Sequence, residues 1–376
     1  MALPRIRALL AVCALVLTLA PTASAGVKWV VRGHGFGHGV GVSQYGAYGY
    51  ALHGKDYQFI LGHYYRGSTI GQVGGPSVVR VLLGISSGDV GFSAATSACG
   101  IALDPGQSYE AHREGARVRL RGAAGKSLAD CGGKLRAAGR GKLTIAGVGT
   151  YRGALEVVPT KSNAGSLNVI NALAVEQYVK GVVANESPPS WPAAELRTQA
   201  VESRSFALSV DVEGNGFDLY DDTRSQVYDG YSSETATSNA AVEATKGQVV
   251  MYGGKIAETY FSACSGGYTE SVQNVFFGPA VPYLQGVPDP YDYYCPLHDW
   301  TLKFSGPEIS AKLGSHLDGK LKRVVVTKRG VSPRIVSAKL IGTGGVTTVT
   351  GEQLEVALGA YSTWMSFQKL AGQPSG

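Results

Sequence analysis

Ala184-Asn185-Glu186-Ser187-Pro188-Pro189-Ser190-Trp191-Pro192, followed by the helix-forming run Ala193 to Leu208, decides how this chain folds. It sets one carboxylate, Glu186, between two valines and a rigid, proline-rich bend. A carboxyl group kept from water by Val182, Val183, Pro188 and Trp191 has its charged form disfavoured, which raises its pKa toward the range useful for proton donation. The alternative is a helix-loop-helix corner whose glutamate merely caps the next helix. Upstream, Ser166 to Asn171 reads as a strand. Ala174 to Val183 reads as a short helix with Val175, Tyr178, Val179 and Val182 on one stripe, and Glu186 just past its end. The prolines stop that helix, and Ser190 or Trp191 is expected to cap the following one with Pro192 in its first turn. There Leu196, Ala200, Ala207 and Leu208 mark a core face, while Arg197, Gln199, Ser203 and Arg204 are polar. At 1.5 Å per residue Arg204 sits about 18 Å along the axis from Pro192, so spacing alone leaves it distant from Glu186 and Arg197 nearer.

Met1 to Ala25 has the form of an export leader: Arg5 and Arg7, an apolar run from Ala8 to Ala20, and Ala23-Ser24-Ala25 as a cleavage site. Export without a lipid anchor is the expectation, and no later stretch approaches the roughly 20 apolar residues of a bilayer span. Apart from Cys13, the cysteines fall as two near pairs, Cys99 with Cys131 and Cys264 with Cys295. Local disulfides suit an oxidising compartment. The other use of cysteine is a metal site, but no C-x-x-C or Cys/His cluster supports one. Losing Arg5 and Arg7 lowers the formal net charge of +6 by two. The remaining basic excess suits an acidic polymer, and without a Lys/Arg run it gives no sign of nucleic-acid binding.

About 350 residues after the leader exceed one typical core. The 52 glycines, among short Val/Ile/Leu/Thr runs, indicate an α+β chain: short helices around Glu186 packed on β-rich subdomains. The loop Arg32 to Ala47 alternates glycine with polar residues, which precludes a stable helix and a helical histidine pair. It leaves His34, His38, Ser43 and Gln44 as polar groups on a tight loop where a ligand can come close. Gln44 to Gly54 is expected to be helical. Residues 77–155 read as all-β scaffold, with 132–141 as a loose segment. Beyond Trp300, helices are expected at Pro307 to Leu313 and Gly351 to Leu358, with strands at Lys322 to Thr327, Ile335 to Ile341 and Thr347 to Thr350.

Val182 to Pro188 with Trp191 to Ala207 resembles the signature of the stage II sporulation protein D family, also called the amidase-enhancer family. So do Ser225-Gln226-Val227-Tyr228 with Ala244 to Gly247, Phe261 to Glu270 with Pro282-Tyr283-Leu284, and Gly37 to Ala47. In that family the G-H-G-V-G block usually closes the chain, whereas here it opens it. A circular permutation explains this, and requires residues 27–70 to pack against the end near Tyr361 to Phe367. The organisation expected is a leader at 1–25, a permuted catalytic segment at 26–70, a β-rich accessory part at 71–160, a catalytic core with its C-terminal β region at 161–370, and a tail at 371–376. Some relatives carry metal-binding Cys/His groups where this chain has a lone Cys264, so no metal and no cofactor is expected.

The resemblance implies secreted or wall-located cleavage of peptidoglycan glycan strands by lytic transglycosylation, with Glu186 as acid and base. It further implies Arg197, Arg204, Ser43, Gln44, His38, Tyr228, Thr269 and Glu270 as strand-binding groups. Tyrosines from Tyr220 to Tyr231 offer sugar-stacking faces or core packing. Asp218, Asp221 and Asp222 keep a two-carboxylate hydrolase open. The rival from another class is a non-catalytic wall-binding protein that stimulates an amidase, and an amidase or other wall protein is accordingly a candidate partner.

Overall fold

The computed structural model describes residues 28–75, 77–161, 165–212 and 216–370. The expected leader and tail lie outside the described residues. Eight α-helices are described, α1 (Gln44–Leu52), α2 (Tyr57–Tyr64), α3 (Val175–Glu186), α4 (Ala193–Ser209), α5 (Ala236–Ala244), α6 (Val272–Val275), α7 (Gly306–Leu313) and α8 (Gly351–Leu358), together with several sheets, an α+β fold. Among the described residues no helix is long and apolar enough to cross a membrane.

The largest sheet carries the scaffold for Glu186. Strand Leu167–Ala174 is apolar and buried along nearly its whole length because it is central, paired antiparallel to Gly149–Pro159 on one side and Val78–Ser86 on the other. It runs directly into α3, so the sheet sets the direction of the helix that ends at Glu186. The β-rich residues 78–159 share this sheet and one hydrophobic core with α3 and α4, including Leu155, Val169, Val179 and Leu196. Residues 132–141 are not loose: most of them enter strand Leu135–Ile145. Leu135, Ala137, Leu143 and Ile145 point inward there, an alternation that the intervening glycines and charges obscured. The disulfides Cys99–Cys131 and Cys264–Cys295 are both formed.

Helix α4 is buried almost all round, from Glu195 to Ala207, because α1, α2, α3 and α5 surround it. Its polar residues therefore need internal partners, and they supply the network around Glu186. Its N-cap is Pro192, without a side-chain cap, rather than Ser190 or Trp191. Helix α3 runs on to include Glu186 in its last turn, three residues beyond Val183.

Helix α1 forms despite Gly46 and Gly49. Ser43 caps it by accepting from the Gly46 amide, and each glycine lets another part of the chain come close. A Cβ on Gly46 would lie 2.1 Å from the Tyr64 hydroxyl and one on Gly49 2.3 Å from the Tyr291 carbonyl oxygen. The chain's beginning meets its end in a second sheet, where Lys28–His34 lies between Asp299–Ser305 and Met365–Leu370. The His34 and Gly37 amides continue this contact, donating to the Trp364 and Tyr361 carbonyls. A third core, under Arg323–Arg329, Ile335–Ile341 and Val346–Thr350, is closed by α7 and α8, both started by capping boxes.

Candidate active site

Glu186 sits half-buried where α3 meets the proline bend. Its Oε1 accepts from the Val227 amide at 2.8 Å. Burial pushes its carboxyl above the ordinary range, with the hydrogen bonds from Val227 and Gln44 opposing that push. Its backbone is clamped as well. Gln44 Nε2 donates to the Glu186 carbonyl at 3.1 Å and to Gln199 Oε1 at 3.1 Å. The hydroxyl of Ser187 donates to Glu195 Oε1 at 2.7 Å. A catalytic acid needs a carboxyl raised above its ordinary range and held in place; burial raises this one, and the Val227 amide and Gln44 hold it.

The α4 face behind Glu186 carries two further carboxyl groups that sequence reasoning missed. Glu195 is fully enclosed, and burial raises its pKa to about 8. Glu202 is pushed well up by burial, although Tyr65 donates to its Oε2 at 3.0 Å. Their i, i+7 spacing on an otherwise buried helix was the available signal. Glu195 binds a proton in the folded chain that the unfolded chain releases above its ordinary 4.5, so stability falls as pH rises from about 4.5 toward 8. Glu195→Gln retains an acceptor for Ser187 and removes this term. Its melting temperature should match the parent's at about pH 5 and exceed it at about pH 8; parallel curves would refute the buried acid.

From α1, which carries Gln44, and the proline bend that follows Glu186 runs a chain of aromatic rings. Trp191 packs on Tyr45 and Tyr48 with centroids 4.9 and 4.8 Å apart, Tyr48 meets Tyr294 at 5.5 Å, and Tyr294 meets Tyr293 at 4.5 Å. Tyr293 is 53% exposed. Tyr45 and Tyr48 share one face of α1 at i, i+3, a spacing visible in the sequence. The position of Tyr293 and Tyr294 depends on Asp292. Its carboxylate accepts from Ser43, the Ser265 and Gly266 amides and His298, while the Cys264–Cys295 bond ties the same loop.

Residues 163–252 match the family model described as stage II sporulation protein. A Brachyspira hyodysenteriae protein described as uncharacterized is 40% identical over 140 residues, covering 36% of this chain and 37% of its own. The amidase enhancer of Bacillus subtilis is 33% identical over 195 residues, 46% of this chain and 26% of that one. Stage II sporulation protein D of Bacillus subtilis is 30% identical over 210 residues, 51% of this chain and 60% of that one. Over these stretches the chain is similar to the stage II sporulation protein D and amidase-enhancer family. The matches span less than two thirds of each relative's length.

Of the groups that resemblance to the stage II sporulation protein D family implied, only Gln44 touches Glu186 directly. Ser43 is one contact removed, committed to capping α1 and to Asp292 Oδ1 at 2.6 Å. Arg204 is 0% exposed, its guanidinium held by both Glu176 oxygens and by the carbonyls of Ala200, Val242 and Gln248. It ties α4 to α3 and α5 and offers nothing to a groove. Tyr228 is a core residue between Tyr151 and Tyr178, donating to Asn171 Oδ1. His38 accepts from the Val40 amide, and burial lowers its pKa to about 4. Thr269 is buried and accepts from the Val287 amide. Glu270 is locked by Ser271, Asn274, Val331 and Ser332. His38 and Glu270 border a separate cavity. Arg197 is half-buried, its Nε without a partner among the described residues and no hydrogen bond or ion pair joining it to Glu186. Of the aspartates, Asp218 accepts from the Arg80 amide, and Arg224 holds the Asp222 carboxylate below the usual range.

Proposed function

We propose that this chain is an exported lytic transglycosylase that cleaves peptidoglycan glycan strands with Glu186 as the single acid and base. Similarity to this family supports a role at the cell wall, and the two disulfides fit placement outside the cytoplasm. The observation that carries the finer reading is one carboxyl, raised by burial and held by the Val227 amide, with a run of aromatic rings on the proline bend that follows it and on α1. Transglycosylation needs one such group. Glu186 protonates the glycosidic oxygen, the C1–O bond breaks, the muramoyl C6 hydroxyl attacks C1, and its proton returns to Glu186. Atoms and protons balance without water, so no second carboxylate is required, unlike the paired acids of ordinary glycosidases. Rings such as Trp191 and Tyr48 present apolar faces suited to sugars.

Purified glycan strands incubated with the protein should acquire anhydro-muramoyl ends detectable by mass spectrometry. Reducing ends would mean hydrolysis, and intact strands with retained binding would mean a wall-binding module. The relative named amidase enhancer makes an amidase the partner to test in that last case. Trp191→Ala and Tyr48→Ala are each expected to raise KM for glycan about tenfold with a smaller change in kcat. Unchanged KM in both would remove the rings from the binding surface.

A further inference from the structure

The cavity bordered by His38 and Glu270 belongs to neither Glu186 nor the aromatic run. It encloses about 250 Å³ between the Gly37–Val40 loop, α6 and its following turn, Ile335, and α8. A dry pocket of roughly 150 Å³ already accepts benzene, so this one has room for a flexible aliphatic side chain. Phe276, Phe277, Ile335 and Val356 supply apolar walls, while Glu352 and Glu355 stand with Val356 on one face of α8 at i, i+3, i+4. Phe277 holds a left-handed backbone, φ 56°, a strained conformation of the kind found at ligand clamps.

The charges around the cavity do not cancel. Glu270 and Arg334 offset each other in the wall, and Arg334 Nε stays without a partner among the described residues. Glu270 has its amide and hydroxyl donors, and Arg334 spends its terminal nitrogens on the Tyr268 and Ser265 carbonyls and Ser332. His38 is held neutral by burial. That leaves Glu352, which is exposed, and Glu355, whose carboxyl has no hydrogen-bond or ion-pair partner among the described residues. Glu352 and Glu355 are in excess of the Glu270–Arg334 pair and share the lining with the phenyl rings of Phe276 and Phe277, which makes a cation site with apolar walls, because ring faces and carboxylates both attract an ammonium group.

We propose that this cavity binds a primary ammonium group on an aliphatic stem, the side chain of a lysine or similar diamino acid in a peptide. The stem lies between Phe277 and Val356 and the ammonium reaches Glu355. Burial raises Glu355 to about 7, opposed by Arg334 and reinforced by Glu352. A bound cation favours its charged form, so binding strengthens as pH rises through that value and releases a proton.

The test is calorimetric titration of the whole chain with Nα-acetyl-lysine amide, Nα-acetyl-norleucine amide and Nα-acetyl-glutamate amide. The lysine derivative is expected to bind, about tenfold more tightly at about pH 8 than at about pH 5.5, with the other two much weaker. Glu355→Gln should weaken it about tenfold. Val356→Lys should abolish binding, and since Val356 is 76% exposed this variant should fold normally. Equal binding of norleucine, preference for glutamate, no binding of lysine, or an unaffected Glu355→Gln variant would overturn the proposal. Glu186→Gln should bind the lysine derivative as the parent does, which separates this site from the glycan reading.

Discussion

Glu186→Gln should lower glycan cleavage by roughly 100- to 10,000-fold, the range removed with a general acid-base group, while strand binding persists. The amide is isosteric and still accepts from the Val227 amide, so the bend keeps its shape. It cannot donate and recover a proton at the pKa this carboxyl has. The pH dependence follows from the same group. Burial raises its pKa, so the proton-bearing form needed for the first step persists toward neutrality and is lost as pH rises through the raised value. The rate should fall on that alkaline side. Single-turnover rates on purified strands, with binding measured on the same variant, check both points. Full activity in Glu186→Gln would end the assignment.

Arg204→Ala should cost roughly 3–5 kcal/mol of folding stability, because removing one partner of a buried ion pair strands the other. The Glu176 carboxylate would keep only the Gly247 amide, and three carbonyls would each lose one donor. Arg204→Lys should recover only part, since an ammonium cannot span both Glu176 oxygens as the guanidinium fork does. Denaturant unfolding of the three proteins measures this. Unchanged stability together with lost glycan affinity would return Arg204 to the substrate and refute its place as a tie between helices.

Arg204 shows why the site was only partly legible before the fold was known. Arginine on a polar helix position reads as available to ligand as long as that position is taken to face water. Here α4 is enclosed almost all round, so Arg204 finds its partners inside the molecule. Tyr228 and Thr269 follow the same rule, each buried with its hydroxyl committed. The rings that pack on one another come from α1, the proline bend and the loop before Cys295, segments more than a hundred residues apart, and no local pattern joins them.

The sequence by itself determined what depends on neighbouring residues. The prolines that end α3, the alternation of apolar residues in the strands, the near pairing of the cysteines and the apolar setting of Glu186 are short-range facts, and local sterics and solvation act at that range. Only the tertiary structure decided what depends on enclosure and closure. It wrapped α4 so that Arg204 became internal, seated Gln44 on the Glu186 carbonyl across 142 residues of chain, and paired Lys28–His34 with Met365–Leu370. Burial and long-range pairing arise from the packing of whole elements. Glu186 accordingly joins the two: the prolines end the helix that carries it, and Gln44 of α1 and the Val227 amide hold it in place.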